Sequence, residues 1–196
     1  MSSERGARTK QAILDAATEL FATGGSRGTG LIAIGERAGV SHSAVLYHFG
    51  SAEALLMAVL DERLRCFADA TAAAWGNGGI EVIANLPEVG RFNGANPGLT
   101  KLFVVLKAEA LEPSAPTHQY FVRHRRRTAR AYQKAIEQAM AEGDFRPDLD
   151  ARAHADDITA FIGGAEADWL LDPKQTDLVQ MYERYARHLL SILSTP

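Results

Sequence analysis

Cysteine is almost absent from this chain: Cys66 stands alone among 196 residues. No intrachain disulfide can form, and a zinc site built on thiolates is excluded. Long apolar runs are missing as well. None approaches the roughly 20 residues that a membrane-spanning helix needs, so no membrane partner is implied. Residues 1–10 are polar and charged, without the apolar stretch of a secretory signal. A cytoplasmic protein is therefore expected. A strong charge of either sign is also lacking, since 21 Lys and Arg face 24 Asp and Glu for a net −3. The whole surface is thus no magnet for nucleic acid. Residues 1–50 lean slightly the other way, with Arg5, Arg8, Lys10, Arg27 and Arg37 against Glu4, Asp15, Glu19 and Glu36. Finally, no segment alternates apolar and polar residues as a half-buried strand would, and there are no internal repeats.

What is present is helical periodicity. Ile13, Leu14, Ala17, Leu20 and Phe21 recur at spacings of three and four, and Gly24-Gly25 ends that segment. The pattern predicts helices over about 9–23, 31–38, 41–49, 52–75, 80–86, 97–112, 117–142, 151–171 and 174–193. The stretch 87–97, rich in Asn and Gly, reads as irregular and mobile. The fold class is all-α, with about nine helices.

Residues 31–48 have the make-up of a helix-turn-helix. Two short helices crossing steeply need a small residue at the crossing, and Gly35 supplies it. The turn needs a positive φ, which Gly39 adopts without steric penalty. Ile34, Ala38, Val40 and Val45 provide the apolar contacts, and Ser41 can cap the second helix. His42, Ser43, Ala44, Tyr47 and His48 then lie on or near its outer side. The amino end of such a helix attracts phosphate, and in this docking mode the second helix enters the major groove. By pattern alone an ordinary helical hairpin in a bundle remains the alternative.

Other constellations carry less. The basic run Arg123-His124-Arg125-Arg126-Arg127, with Arg130, spreads over several faces of a long helix and reads as a solvated surface. His42 and His48, like His118 and His124, are six residues apart, which is not the spacing that puts two metal ligands on one helical face. Cys66 sits beside Leu64, Phe67 and Ala68 as inert core. The glycine cluster 76–79 lacks the lysine of a phosphate-binding loop. No catalytic, metal or cofactor site is expected, and no enzyme.

The segment 9–60 resembles the N-terminal domain of the TetR family of regulators. The matching residues are Ile13-Leu14-Asp15-Ala16-Ala17, Leu20-Phe21, Gly25, Gly28-Thr29, Ile34, Glu36-Arg37-Ala38-Gly39-Val40-Ser41, Leu46-Tyr47-His48-Phe49, Ser51, Glu53, Leu55 and Leu56. A looser likeness extends to Leu102-Phe103-Val104-Val105-Leu106, residues 143–150, and Asp168-Trp169-Leu170-Leu171-Asp172-Pro173. The resemblance implies a helix-turn-helix domain over 1–51 and a larger effector-binding and dimerisation domain over 52–196. It implies a homodimer that binds double-stranded DNA at a palindromic operator, most often as a repressor, and lets go when a small molecule binds. The DNA-facing residues it implies are Thr29, Gly30, Gly39, Ser41, His42, Ser43, Ala44, Tyr47, His48 and Ser51. For His48, packing under Phe49 is the alternative. The aromatic and apolar residues Phe67, Thr71, Trp75, Phe103, Leu106, Phe121, Phe161 and Trp169 are candidates to line the effector pocket, which would suit an apolar or aromatic ligand. For the dimer interface the candidates are Ile158, Ile162, Gly163, Leu178, Met181, Tyr182, Tyr185 and Leu189.

Four positions depart from the family pattern. Gly30 stands where a capping Thr is usual, with Thr29 beside it. Ile32 replaces a basic or polar residue, Leu46 a first Tyr, and Ala52 a Lys. The recognition helix also lacks Arg, Lys, Asn and Gln, the residues that make the commonest base contacts. Ala44 can meet a thymine methyl, and His42 can donate to guanine or phosphate. Modest affinity with a shallow salt dependence is expected. A helical ligand- or partner-binding module with weak or lost operator binding is the second reading.

Overall fold

The computed structural model describes residues 2–195, and among these it contains ten α-helices. They are α1 (Ser2–Gly24), α2 (Leu31–Ala38), α3 (His42–Phe49), α4 (Ala52–Trp75), α5 (Gly79–Ala84), α6 (Leu86–Ala95), α7 (Pro97–Glu109), α8 (His118–Glu142), α9 (Ala151–Leu171) and α10 (Leu178–Leu193). The all-α reading of the sequence holds. Between described residues, extended pairing is confined to an isolated bridge joining Phe145 and Ser194. No single helix is long and apolar enough to cross a membrane.

The chain divides into two compact units. The first takes residues 1–66 together with 98–119, and the second takes 67–97 with 120–196. In the first unit the stripe predicted on α1 is buried: Ile13 and Ala17 are fully enclosed and Phe21 nearly so, as are Ile34 of α2, Val45 of α3 and Leu55 and Leu60 of α4. Helix α1 starts seven residues earlier than the apolar periodicity indicated. The residues before Thr9 are mostly polar, and those from Glu4 to Arg8 carry no core stripe, so they give no periodic signal.

The second unit is built round one core that includes Val82, Ile83 and Leu86, Ile136 and Ala139 of α8, Ile158 and Trp169 of α9, and Tyr182 and Leu189 of α10. Here the structure corrects one expectation. The stretch 87–97 is not an irregular loop, because α6 occupies most of it. Pro87 falls in the first turn, where its missing N–H is harmless. Leu86, Val89, Gly90 and Asn93 are buried, and α6 lies along α10. Gly90 has a tertiary purpose, because a Cβ there would sit 3.0 Å from the Tyr182 ring. Burial against α10 overrides the weak helix propensity of Asn and Gly.

Helix α10 begins at Leu178 and not at Lys174. Asp177 accepts the Gln180 N–H (3.0 Å) and so fixes the first turn. Asp150 does the same for α9, accepting from the N–H groups of Arg152 and Ala153.

Candidate DNA-binding surface and effector-binding unit

The turn of the helix-turn-helix is set by residues that have little side chain or none. Gly39 closes α2 in the left-handed conformation (φ 69°, ψ 31°), donating its N–H to Glu36 and Gly35 carbonyls. Val40 N–H donates to Gly35 O at 2.9 Å. Gly35 itself is buried, and a Cβ built on it would stand 2.9 Å from Val40 O and 3.5 Å from His42 N. Two backbones therefore touch at this point, which is what a steep crossing of α2 and α3 requires.

Ser41 then opens α3. Its Oγ accepts the Ala44 N–H (3.2 Å) and lies 2.9 Å from Ser43 Oγ. Ser51 repeats the device at α4, accepting from Ala54 N–H at 3.1 Å. Gly30 precedes α2 in extended backbone (φ −94°, ψ 151°) and gives no side-chain cap. The hydroxyl of the neighbouring Thr29 turns inward and donates to Leu20 O at 3.2 Å. It holds the turn after α1 and does not substitute for a cap on α2.

The outward face is open. His42 and Ser43 are exposed, Ala44 is half-buried, and Tyr47 is 86% exposed. His48 is half-buried between the rings of Tyr47 (centroids 5.3 Å apart) and Phe49 (6.5 Å). Lys10 approaches the other neighbour of this row, its Nζ 5.7 Å from the Phe49 centroid. Exposed Ile32 and Leu46 add an apolar margin. An exposed bond from Arg37 Nε to Glu19 Oε2 (2.8 Å) ties α2 to α1. Its energetic weight is small at such exposure.

The residues expected to meet an effector fall in both units. Phe103 and Leu106 are buried in the first, and the other six belong to the second. Within the second, Phe67 meets Phe92 edge-on at 5.3 Å, Trp75 lies 5.3 Å from Tyr132, and Phe161 stacks on Tyr185 at 3.8 Å. Thr71 is buried with its Oγ1 donating to Phe67 O. Phe121 and Trp169 are buried too.

Buried polar groups that the apolar pattern does not reveal lie in the same units. Asn93 Nδ2 donates to Glu166 Oε1 at 2.7 Å, and both residues are almost fully enclosed in the second unit. Burial pushes the Tyr132 phenol well above its ordinary range, and the negative charge of Glu166 adds to this. Tyr185 is pushed up to about 12, mostly by burial and partly by Asp157. In the first unit Arg63 is 4% exposed, with its guanidinium 3.9 Å over the Phe103 ring. Both charged residues had a legible signal. Arg63 lies four residues from Val59 and Phe67, and Glu166 lies four from Ile162 and three from Trp169. Each interrupts an apolar stripe at helical spacing.

Of the residues expected at a dimer interface, Ile158, Leu178, Tyr182 and Leu189 are at most 2% exposed within this chain and belong to its own core. Ile162, Gly163, Met181 and Tyr185 reach the surface in part. Periodicity had marked apolar positions on α9 and α10 without saying which row turns inward.

Comparison with known proteins decides the family. The model of bacterial regulatory proteins of the tetR family matches residues 13–59. The model of the C-terminal part of BetI-type transcriptional repressors matches residues 92–194, more than half of the chain. The chain belongs to the TetR family. TetR-family regulators are DNA-binding transcription factors and not enzymes, and members bind small-molecule effectors.

This TetR-family chain is 51% identical over 55 residues to the HTH-type transcriptional regulator RutR of Escherichia coli K12. That match spans 28% of the chain and about a quarter (26%) of RutR. Its fold is that of a TetR transcriptional regulator from Chloroflexus aurantiacus (TM-score 0.84, 20% identity, 98% of this chain and 100% of that one). It is likewise that of SmeT, solved in complex with triclosan (TM-score 0.80, 20% identity, 95% and 92%).

Proposed function

We propose that this TetR-family regulator is a ligand-responsive repressor, working in the cytoplasm as a homodimer on a palindromic operator and released by a small apolar or aromatic effector. The observation that carries the reading is the intact reading head: Gly35 and Gly39 set the crossing, Ser41 caps α3, and Tyr47 stands in solvent. Residues 1–51 act as the DNA-binding domain, through Thr29, Gly30, Gly39, Ser41, His42, Ser43, Ala44, Tyr47, His48 and Ser51. Residues 52–196 serve effector binding and dimerisation. Their aromatic content supports an effector of apolar or aromatic character, and SmeT accommodates the aromatic compound triclosan. The partly exposed Ile162, Gly163, Met181 and Tyr185 on α9 and α10 are the residues left to meet a second copy. A closed two-fold dimer places the two recognition helices for a palindrome.

Selection of bound sequences from random DNA tests this directly. The expected product is a palindrome whose half-sites are about one helical turn apart. Enrichment of no motif favours the second reading, a ligand-binding module with weak operator contact. That reading draws on a specific observation: the exposed face of α3 has no side chain able to make a bidentate contact with guanine or adenine.

The departures from the family pattern make a quantitative prediction. Ala52 is exposed at the start of α4, just after the Ser51 cap. Ala52→Lys is expected to tighten operator binding and steepen the plot of log K against log salt by about 0.9, one more neutralised phosphate. A Cβ added at Gly30 would meet nothing within 4 Å, and the extended backbone there accepts a Thr. Gly30→Thr is expected to tighten binding with an unchanged slope, because a hydroxyl displaces no counterion. Titrations at several salt concentrations separate the two.

A further inference from the structure

The turn 25–30 joins α1 to the reading head. Gly25 leaves α1 in the left-handed region (φ 68°) and donates its N–H to Phe21 O. Thr29 reaches back to Leu20 O. Between them stands Ser26, half-buried, whose backbone N–H needs an acceptor. It finds one 83 residues away in sequence, in the last turn of α7. Both carboxylate oxygens of Glu109 receive the Ser26 N–H, at 3.1 and 3.0 Å. The same carboxylate fills the space beside Gly25, so that a Cβ on residue 25 would collide with Glu109 Oε1. The positive φ requires glycine at position 25, and a side chain there would also push the Glu109 carboxylate off the Ser26 N–H.

We propose that Glu109 is a positioning residue for the DNA-binding helices, a clamp by which α7 fixes the turn that aims α2 and α3. Three observations converge on it. A charged acceptor holds a backbone donor with a stronger bond than a neutral one would. Helix α7 belongs to the same compact unit as the helix-turn-helix, although it lies in the part of the chain assigned above to effector binding. The helix is also held further along, where Arg63 Nε of α4 donates to Leu99 O at 3.2 Å and its guanidinium covers Phe103. Phe103 and Leu106, candidates above for lining an effector pocket, lie on α7 six and three residues before Glu109. A shift of α7 thus reaches Ser26 directly, through the Glu109 carboxylate.

The inference rests on the operator-binding reading, and its test keeps the two apart. Full-length wild type, Glu109→Ala and Glu109→Gln are titrated against the DNA selected by the wild type. Amide hydrogen exchange is followed on the same samples. Glu109→Ala is expected to weaken binding about tenfold, the loss of a charge-assisted bond. Glu109→Gln, whose amide oxygen still accepts, should lose clearly less. Exchange at residues 26–29 should rise in the alanine variant while α3 and the second unit keep their protection. Wild-type affinity in Glu109→Ala despite faster exchange at Ser26 would overturn the proposal. So would equal losses in both variants accompanied by loss of protection throughout the chain, since Glu109 would then be holding the fold and not aiming the helices. If the wild type selects no DNA, the operator reading fails, and the local exchange difference alone decides the clamp.

Discussion

Gly35→Ala is expected to weaken operator binding by about ten- to a hundredfold while changing overall stability much less. The added Cβ would sit 2.9 Å from Val40 O and 3.5 Å from His42 N. These are backbone atoms of the turn itself, not the flexible end of a side chain. Val40 O cannot retreat alone, because the N–H of the same residue is bonded to Gly35 O at 2.9 Å. The crossing of α2 and α3 must open, which carries His42, Ser43, Ala44 and Tyr47 away from the groove. Overpacking of this kind typically costs about 1–3 kcal/mol, and each 1.4 kcal/mol expressed in binding is about tenfold. Alanine also favours helix over glycine by roughly 1 kcal/mol, which offsets part of the loss in folding but none of the loss in aim. Fluorescence anisotropy with operator DNA, set beside thermal melts, shows the split. Wild-type affinity in Gly35→Ala would mean that the two helices do not meet at this glycine.

Phe145→Ala is expected to destabilise the second unit by about 3–5 kcal/mol, a large share of the roughly 5–15 kcal/mol that holds a typical domain folded. Phe145 is fully enclosed although it lies outside any helix. Gly143 (φ 87°) turns the chain after α8, and the N–H groups of Asp144 and Phe145 both donate to Ala139 O. The segment then pairs with the end of α10. Arg146 N–H donates to Leu193 O at 2.9 Å, and Thr195 N–H to Asp144 O at 3.0 Å. Truncating the ring leaves a cavity under a junction that joins the ends of α8 and α10. The midpoint of thermal unfolding should fall by about 6 °C or more, at some 2–4 °C per kcal/mol for a chain of this size. A loss under about 1 kcal/mol in urea titration would show that the site collapses without penalty.

The helix-turn-helix was readable because its requirements are local. A left-handed turn residue, a small residue at the crossing and a hydroxyl cap lie within seven positions, Gly35 to Ser41, and each acts on neighbours a few residues away. The long helices α4, α8 and α9 were readable for the same reason, since their apolar stripes repeat at helical spacing. Helix α6 was not. Its sequence, Leu-Pro-Glu-Val-Gly-Arg-Phe-Asn-Gly-Ala, has weak propensity and becomes helical by burying one face on α10. The start of α10 was misplaced because Lys174 and Gln175 are good helix formers, while the cap at Asp177 decides where the first turn closes.

The candidate sites divide along the same line. Arg63 and Glu166 each stood in an apolar stripe, a signal present in the sequence. Asn93 gave none, because its burial depends on α6 being a helix. Thr29 stands next to the cap position of α2, but its hydroxyl faces Leu20 O, a contact that spacing alone does not reveal.

By itself, then, the sequence determined that the chain is helical, that residues 31–48 form two short helices about a glycine turn, and that the exposed face of the second is poor in charge. These follow from dihedral preference, capping and periodicity, which act over a few residues. Only the tertiary structure decided that α7 shares a compact unit with the reading head, that Glu109 accepts the Ser26 N–H, and which apolar residues of α9 and α10 turn into their own core. Those facts join residues that are distant along the chain, and short-range spacing carries no record of such a pairing.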